Sequence, residues 1–171
     1  MIEKAKKIKM VIFDVDGVLT DGSIIMDGEG NELKRFNVRD GHGIKALQKA
    51  GIKVAIITGR ESKVVNVRAN ELGIKEVHQK IYKKSSVYES LLMKYDLKNE
   101  EVAFMGDDIV DSELLKRVGL PAVPADADEN IRELADFIST KNGGRGAVRE
   151  FIELILKSSG KWDSVSGETL G

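Results

Sequence analysis

Unbroken apolar runs rich in Val and Ile recur along the chain: Met10 to Phe13, Val54 to Ile57, Val102 to Met105 and, more weakly, Ala122-Val123. A strand with one wet face alternates polar and apolar residues. A run that is apolar at every position suits a parallel strand covered on both faces. Segments with helical spacing lie between the runs. Ile44, Leu47 and Gly51 mark one, with Asp40 as its cap. Val64, Val65, Ala69 and Leu72 mark a second, ended by Gly73. Val87, Leu91, Leu92 and Tyr95 mark a third, and Val148, Phe151, Ile152 and Ile155 a last one. Strand and helix in alternation predict an α/β fold with right-handed crossovers.

Residues 22–37 break the rhythm. Two strand-like pieces, Ser23 to Met26 and Glu32 to Asn37, flank Asp27-Gly28-Glu29-Gly30, and Asp-Gly between such pieces signals a β-hairpin. The expected architecture is therefore a Rossmann-like, doubly wound, mainly parallel sheet with a hairpin inserted after the first strand. Gly28 and Gly30 lack the third glycine of a dinucleotide fingerprint and sit in the hairpin turn, so that reading carries no weight. The 171 residues suit a single domain, expected over residues 1–157, which can bury roughly 70% of its unfolded surface without disulfide or structural metal. Residues 158–171, rich in Ser and Gly, read as a flexible tail, with Trp162 docked or exposed. The basic N-terminus, Met1 to Lys7, reads as a solvated lead-in rather than a signal peptide.

Lys and Arg number 27 against 28 Asp and Glu, a net charge of −1. That balance points away from nucleic acid or an anionic membrane as main partner. No apolar stretch nears the roughly 20 residues of a membrane span, so a soluble cytoplasmic protein is expected. With no cysteine, thiol chemistry and thiolate zinc sites are out.

Acids collect where the strands end. The first strand runs into DVDGVLTDG, residues 14–22, and the strand ending at Met105 into Gly106-Asp107-Asp108, with Asp111 beyond. Ligands of open α/β sheets bind at the carboxyl ends of strands, which directs Asp14 and Asp16 into the crevice. Any single Asp-Gly is better read as a turn or a cap. Four or five acids converging there repel one another unless a cation sits among them. Oxygen ligands alone point to a hard ion, Mg²⁺. The strand ending at Ile57 is followed by Thr58-Gly59-Arg60, where a hydroxyl, a backbone amide and a guanidinium can hold phosphate oxygens. Lys80, Lys83 and Lys84 compete for the cation that balances a phosphate dianion. Spacing to the third helix favours Lys84.

These residues, in this order, resemble the haloacid dehalogenase-like phosphohydrolases over about residues 9–125. The resemblance implies that Asp14 attacks phosphorus, and that Asp16 protonates the leaving alcohol and afterwards activates water. It implies that Thr58 and Lys84 bind phosphoryl oxygens, and that Mg²⁺ is held by Asp14, the carbonyl of Asp16 and Asp107, with Asp108 and Asp111 behind. A carboxylate nucleophile divides one slow hydrolysis into two steps. An acid at position 16 resembles phosphatases and phosphomutases, and mutases carry a large cap that residues 22–37 cannot supply.

The short hairpin, FNVRDGHGI at residues 36–44 and GGRGAVRE at residues 143–150 resemble one subclass, the 3-deoxy-D-manno-octulosonate 8-phosphate phosphatases, over about residues 5–157. That likeness implies a phosphorylated sugar-acid substrate on the route to lipopolysaccharide, and a homotetramer whose hairpins meet and whose subunits help close each site. It implies a substrate pocket lined by Asp16, Asn37, Val38, Arg39, Asp40, Gly41, Arg60, Arg68 and Lys84. Arg68 reads equally as a helix-surface charge, His42 as a flank of a helix start, and Gly143 to Gly146 as a turn or a lid. Two rivals stand beside this reading: a phosphatase for a nine-carbon sugar acid 9-phosphate, with the same catalytic set, and a non-catalytic oligomerisation module.

Overall fold

The computed structural model describes residues 1–166. Its strands, in chain order, are β1 (Met10–Phe13), β2 (Ile25–Met26), β3 (Glu32–Leu33), β4 (Lys53–Ile57), β5 (Glu76–His78), β6 (Val102–Met105), β7 (Leu120–Val123) and β8 (Phe137–Ile138). Its helices are α1 (Ile2–Ala5), α2 (Val38–Lys49), α3 (Lys63–Leu72), α4 (Lys84–Tyr95), α5 (Ser112–Leu115), α6 (Glu129–Arg132), α7 (Ala147–Ser158) and α8 (Trp162–Ser166). One six-stranded sheet has the order β5-β4-β1-β6-β7-β8, parallel throughout. The chain winds outward from β1 to β5, then crosses back to lay β6 on the other side of β1. Strand order reverses there, and a crevice opens at the carboxyl ends of β1 and β6.

Every residue of β1 is buried, as its apolar run predicts. Val11 and Phe13 pack with Ile44 and Leu47 of α2 and Phe151, Ile152 and Ile155 of α7. Met10 and Ile12 face the other layer, with Tyr88 and Leu91 of α4 and Leu114 and Leu115 of α5. Each such fully buried side chain contributes about 1.5–3 kcal/mol relative to exposure. This two-sided core fixes the backbone from which the acids project. Among the described residues, no helix is long and apolar enough to cross a membrane.

The structure departs from the sequence reading in several places. The hairpin forms, but only β2 and β3 pair, around a turn held by Asp27, whose Oδ1 accepts from the amides of Glu29 (2.9 Å) and Asn31 (2.8 Å). Asn37, not Asp40, caps α2, its side chain accepting from the Arg39 amide at 2.8 Å. Asp40 is instead buried in the first turn and accepts from the amide of Arg149 at 2.8 Å, tying α2 to α7. The N-terminal lead-in folds into α1, burying Ala5 and Ile8. The expected flexible tail is helical over α8. Val165 joins the core, and the Trp162 ring lies 4.8 Å from the Arg149 guanidinium and 5.3 Å from the Lys157 ammonium. Residues 167–171 of that tail lie outside the described part of the chain.

Candidate active site

Asp14 follows the last residue of β1, and its amide donates to the carbonyl of Met105 on β6 at 3.1 Å. Its Oδ1 accepts from the Val15 amide at 2.6 Å, and its Oδ2 from Lys84 Nζ at 2.5 Å. Lys84 opens α4 and is buried; the same ammonium donates to Asp111 Oδ1 at 2.5 Å. Asp111 is wholly buried, and its other oxygen accepts from the Asp107 amide at 3.0 Å. Carboxylate oxygens of Asp14, Asp107 and Asp111 lie within 4.8 Å of one another. Asp14 and Asp111 thus share one ammonium, with a third carboxylate, Asp107, crowded beside them.

The electrostatics follow from that count. Burial, with the Asp14 and Asp111 carboxylates beside it, pushes the Asp107 carboxyl up to about 8. Burial raises Asp14 to about 6, with Asp111 adding to the rise and Lys84 opposing it. Burial works against the charge on Lys84, but Asp14 and Asp111 outweigh it and hold the ammonium above its usual range. Asp107 Oδ1 is buried with no hydrogen-bond partner, an arrangement that costs about 1–3 kcal/mol. Asp111 is committed to Lys84 and the Asp107 amide, whereas Asp107 has a free oxygen. A hard divalent cation with oxygen ligands fits this donor set.

Backbone geometry makes the approach possible. Gly17 has φ +82°, and a Cβ there would lie 1.9 Å from Asp107 Oδ2. Gly143 packs so closely beneath the same loop that its Cβ would fall 1.8 Å from the Gly17 carbonyl oxygen, while the Gly144 amide donates to Val18 O at 2.9 Å. The glycine run before α7 is therefore a bed for the loop carrying Asp14 and Asp16, neither plain turn nor lid.

A cleft of about 350 Å³ opens over these groups, lined by Asp14, Asp16, Thr58, Arg60, Asp107 and Asp108 among others. Thr58 is buried at the end of β4, its amide donating to His78 O at 3.0 Å. The three candidate lysines separate cleanly. Lys80 pairs with Glu61 at the surface, Lys83 is exposed before α4, and only Lys84 reaches Asp14. Asp108 turns its carboxylate onto the Ile109 amide at 2.7 Å, capping a short helical turn, and its own amide donates to Asp111 Oδ2 at 3.4 Å. Asp111, expected behind the metal ligands, joins their cluster, while the Asp16 side chain stands apart from it.

The pocket expected from Asn37, Val38, Arg39, Asp40, Gly41 and Arg68 does not form around Asp14 within one chain. Asn37, Asp40, Gly41 and Arg68 border a separate, small and mainly apolar pocket with Phe36. Arg68 pairs there with Glu71 at 2.8 Å, its guanidinium 5.7 Å from the Phe36 ring. Val38 and His42 are exposed, and Arg39 lies on another face beside Lys141 and Arg149. Arg60 does reach the cleft, its Nη2 2.8 Å from Glu32 and its Nε 3.8 Å from Asp16.

Two residues escaped the sequence reading. Lys34, on the hairpin, bonds to Asp16 and lies 3.2 Å from Glu32. Their signal is the i, i+2 spacing, which puts Glu32 and Lys34 on one face of a strand. Nothing in the sequence showed that this face folds back onto residue 16.

Comparison with known proteins agrees with this geometry. The family model for haloacid dehalogenase-like hydrolase matches residues 61–152. The 3-deoxy-D-manno-octulosonate 8-phosphate phosphatase of Escherichia coli K12 is 44% identical over 170 residues, covering 99% of this chain and 90% of that protein. The crystal structure of the Moraxella catarrhalis phosphatase of that name, in complex with magnesium ion, phosphate ion and KDO, superposes with a TM-score of 0.94 at 42% identity, covering 97% of this chain and 95% of that one. The cobalt-bound Haemophilus influenzae phosphatase gives a TM-score of 0.91 at 37% identity, covering 98% and 99%. The chain belongs to the haloacid dehalogenase-like hydrolases, and among them to the 3-deoxy-D-manno-octulosonate 8-phosphate phosphatase family.

Proposed function

We propose that this chain is a Mg²⁺-dependent phosphomonoesterase that hydrolyses 3-deoxy-D-manno-octulosonate 8-phosphate to the free sugar acid and phosphate, with an aspartyl-phosphate on Asp14 as intermediate. The observation that carries the reading is Asp14 at the end of the central strand, locked to Lys84 and with a carboxylate oxygen of Asp107 within 4.8 Å. The names of the relatives supply the substrate.

The Asp14–Lys84 contact at 2.5 Å and the Val15 amide on the other oxygen at 2.6 Å hold the nucleophilic carboxylate in one orientation beside the cleft it lines. Asp14 attacks phosphorus, the bond to the sugar O8 breaks, and Asp16 gives that oxygen its proton. Water then attacks the acyl phosphate while Asp16 takes up the water's proton, and phosphate leaves with Asp14 restored. Thr58 and Lys84 hold the non-bridging oxygens. Arg60 suits a substrate bearing both a carboxylate and a phosphate. A Mg²⁺ ion bound by Asp14, Asp107 and the Asp16 carbonyl supplies charge neutralisation for the phosphoryl group.

The pathway role we infer is lipopolysaccharide synthesis in the cytoplasm, by a homotetramer. The exposed apolar hairpin residues Ile24, Met26 and Leu33 support association, since such a patch marks an interaction surface. The test is phosphate release from a panel of eight- and nine-carbon sugar-acid phosphates, hexose phosphates and an aryl phosphate. The eight-carbon acid should give the highest kcat/KM, chelator should abolish it, and Asp14→Asn should be folded and inactive. A nine-carbon acid in first place would reassign the substrate. Residual Asp14→Asn turnover within about tenfold of the parent would remove the nucleophile, whose loss should cost several orders of magnitude.

A further inference from the structure

The hairpin carries one side chain that packing does not explain. Lys34 has a side-chain exposure of 2%, although Ile25, Met26 and Leu33 around it on the two-stranded ribbon are exposed. An isolated ribbon of this size has no core of its own, and an ammonium leaves water only where specific partners replace it. Those partners are Asp16 Oδ1 and, at 3.2 Å, Glu32 Oε1. Glu32 Oε1 also accepts from Arg60 Nη2 at 2.8 Å, so Lys34, Glu32 and Arg60 form a chain of alternating charge that begins on Asp16. The pairing is directional. Lys34 takes Oδ1, while Oδ2 lies toward Arg60, 3.8 Å from its Nε, where the cleft opens.

We propose that Lys34 is a positioning residue for proton transfer by Asp16, an inference that rests on the phosphatase reading above. The hairpin ammonium anchors Oδ1 and so presents Oδ2 to the leaving oxygen. In the first step the proton passes from Oδ2 to the ester oxygen as the phosphorus–oxygen bond breaks and Asp14 takes the phosphoryl group. In the second, Oδ2 receives a proton from the water that attacks phosphorus. Lys34 gives up no proton and touches no substrate atom. A simple surface ion pair would contribute little, but the burial of Lys34 removes that reading. A phosphate-binding role is left to Lys84 and Thr58, because Lys84 contacts the nucleophile Asp14, whereas Lys34 pairs with Asp16 and Glu32. The hairpin would thereby act on this subunit's own chemistry, apart from any role in association.

The experiment compares kcat/KM for 3-deoxy-D-manno-octulosonate 8-phosphate, an alkyl ester, with that for p-nitrophenyl phosphate, in the full-length parent, Lys34→Met and Lys34→Arg. This constant runs only as far as formation of the aspartyl-phosphate, so it reports the acid step. An alkoxide must be protonated as it leaves, whereas p-nitrophenolate departs as a stable anion. In Lys34→Met the alkyl ester should lose about 30–100-fold, towards the usual yield of general acid catalysis, and the aryl ester less than about threefold. Lys34→Arg, which keeps the charge and a donor, should recover most of the alkyl rate. Both esters are assayed on one preparation, so partial unfolding lowers both rates together and cannot imitate a selective loss. Equal losses on the two esters would make Lys34 a phosphate ligand or a fold element and overturn the proposal, as would no loss on either. A parent that releases phosphate from neither ester overturns the phosphatase reading itself, and the positioning role with it.

Discussion

Asp107 is the place where function and stability oppose each other most directly, and Asp107→Asn separates them. Its carboxyl titrates at about 8 in the metal-free fold, against an ordinary value of 3.8. A carboxyl raised in the folded state favours folding only while protonated. The stability it permits is complete below pH 3.8 and is lost progressively as pH climbs through about 8. Keeping the group in the fold then costs about 3 kcal/mol at pH 6 and about 5 kcal/mol at pH 8. Asparagine keeps the shape and removes the charge. In chelator the variant should therefore melt above the parent, by a margin that grows about 2 kcal/mol from pH 6 to pH 8. For a chain of this length that is a widening of about 4–8 °C in Tm. Mg²⁺ should narrow that margin. At a hundred times its Kd, an ion that binds only the folded parent adds about 2.7 kcal/mol, while the variant, lacking the second metal carboxylate, gains little and releases no phosphate. The assay is thermal unfolding by circular dichroism at pH 6, 7 and 8, with chelator and with Mg²⁺. A margin that is flat or shrinking with pH, or a variant less stable than the parent in chelator, would show that burying the Asp107 charge beside other carboxylates is not what strains this site.

Two further outcomes test the architecture. Gly17→Ala places a methyl where Asp107 Oδ2 lies, 1.9 Å from the new Cβ, on a backbone of positive φ; the displaced carboxylate should cost about a hundredfold in kcat/KM and weaken the Mg²⁺-dependent rise in Tm, and parental values for both would refute the close approach. Sedimentation at micromolar concentration should give a tetramer, and a monomer would leave the exposed hairpin residues Ile24, Met26 and Leu33 without a partner.

The sheet was legible because its central strands are covered on both faces, so that Met10 to Phe13 and Val102 to Met105 must be apolar at every position. β5 and β8, three and two residues long, carry no run that could be distinguished from a loop. At the site, Asp14, Thr58 and Asp107 were legible for the same reason as the strands: each sits where a visible run ends. Lys84 needed only spacing to a helix start. The role of Asp111 was harder to read, because its depth depends on how the turn after Asp108 brings it back under Lys84. The residues around Asn37 and Arg68 are the least legible. Family likeness places them in a substrate pocket that a neighbouring subunit helps close, and within one chain Asp40 holds α7 while Arg68 stands over Phe36. Side chains that meet across elements leave little trace in sequence, since spacing speaks only for neighbours along one helix or strand.

That contrast also divides the labour of the site. The nucleophile, its lysine and the metal carboxylates project from strand and helix ends fixed by a packed core, where a displacement of one ångström would disturb many buried contacts. Lys34 and Glu32 reach Asp16 and Arg60 from a ribbon with only two residues paired on each side. Its position is set by ion pairs rather than by burial of apolar surface. Changes in the hairpin sequence can therefore re-aim Asp16 and Arg60 without unsettling the fold, so substrate preference has room to vary there while the phosphoryl-transfer residues stay where they are. The same asymmetry explains why Lys34→Met should impair one ester more than another, and why Asp107→Asn should change the melting temperature of the whole domain.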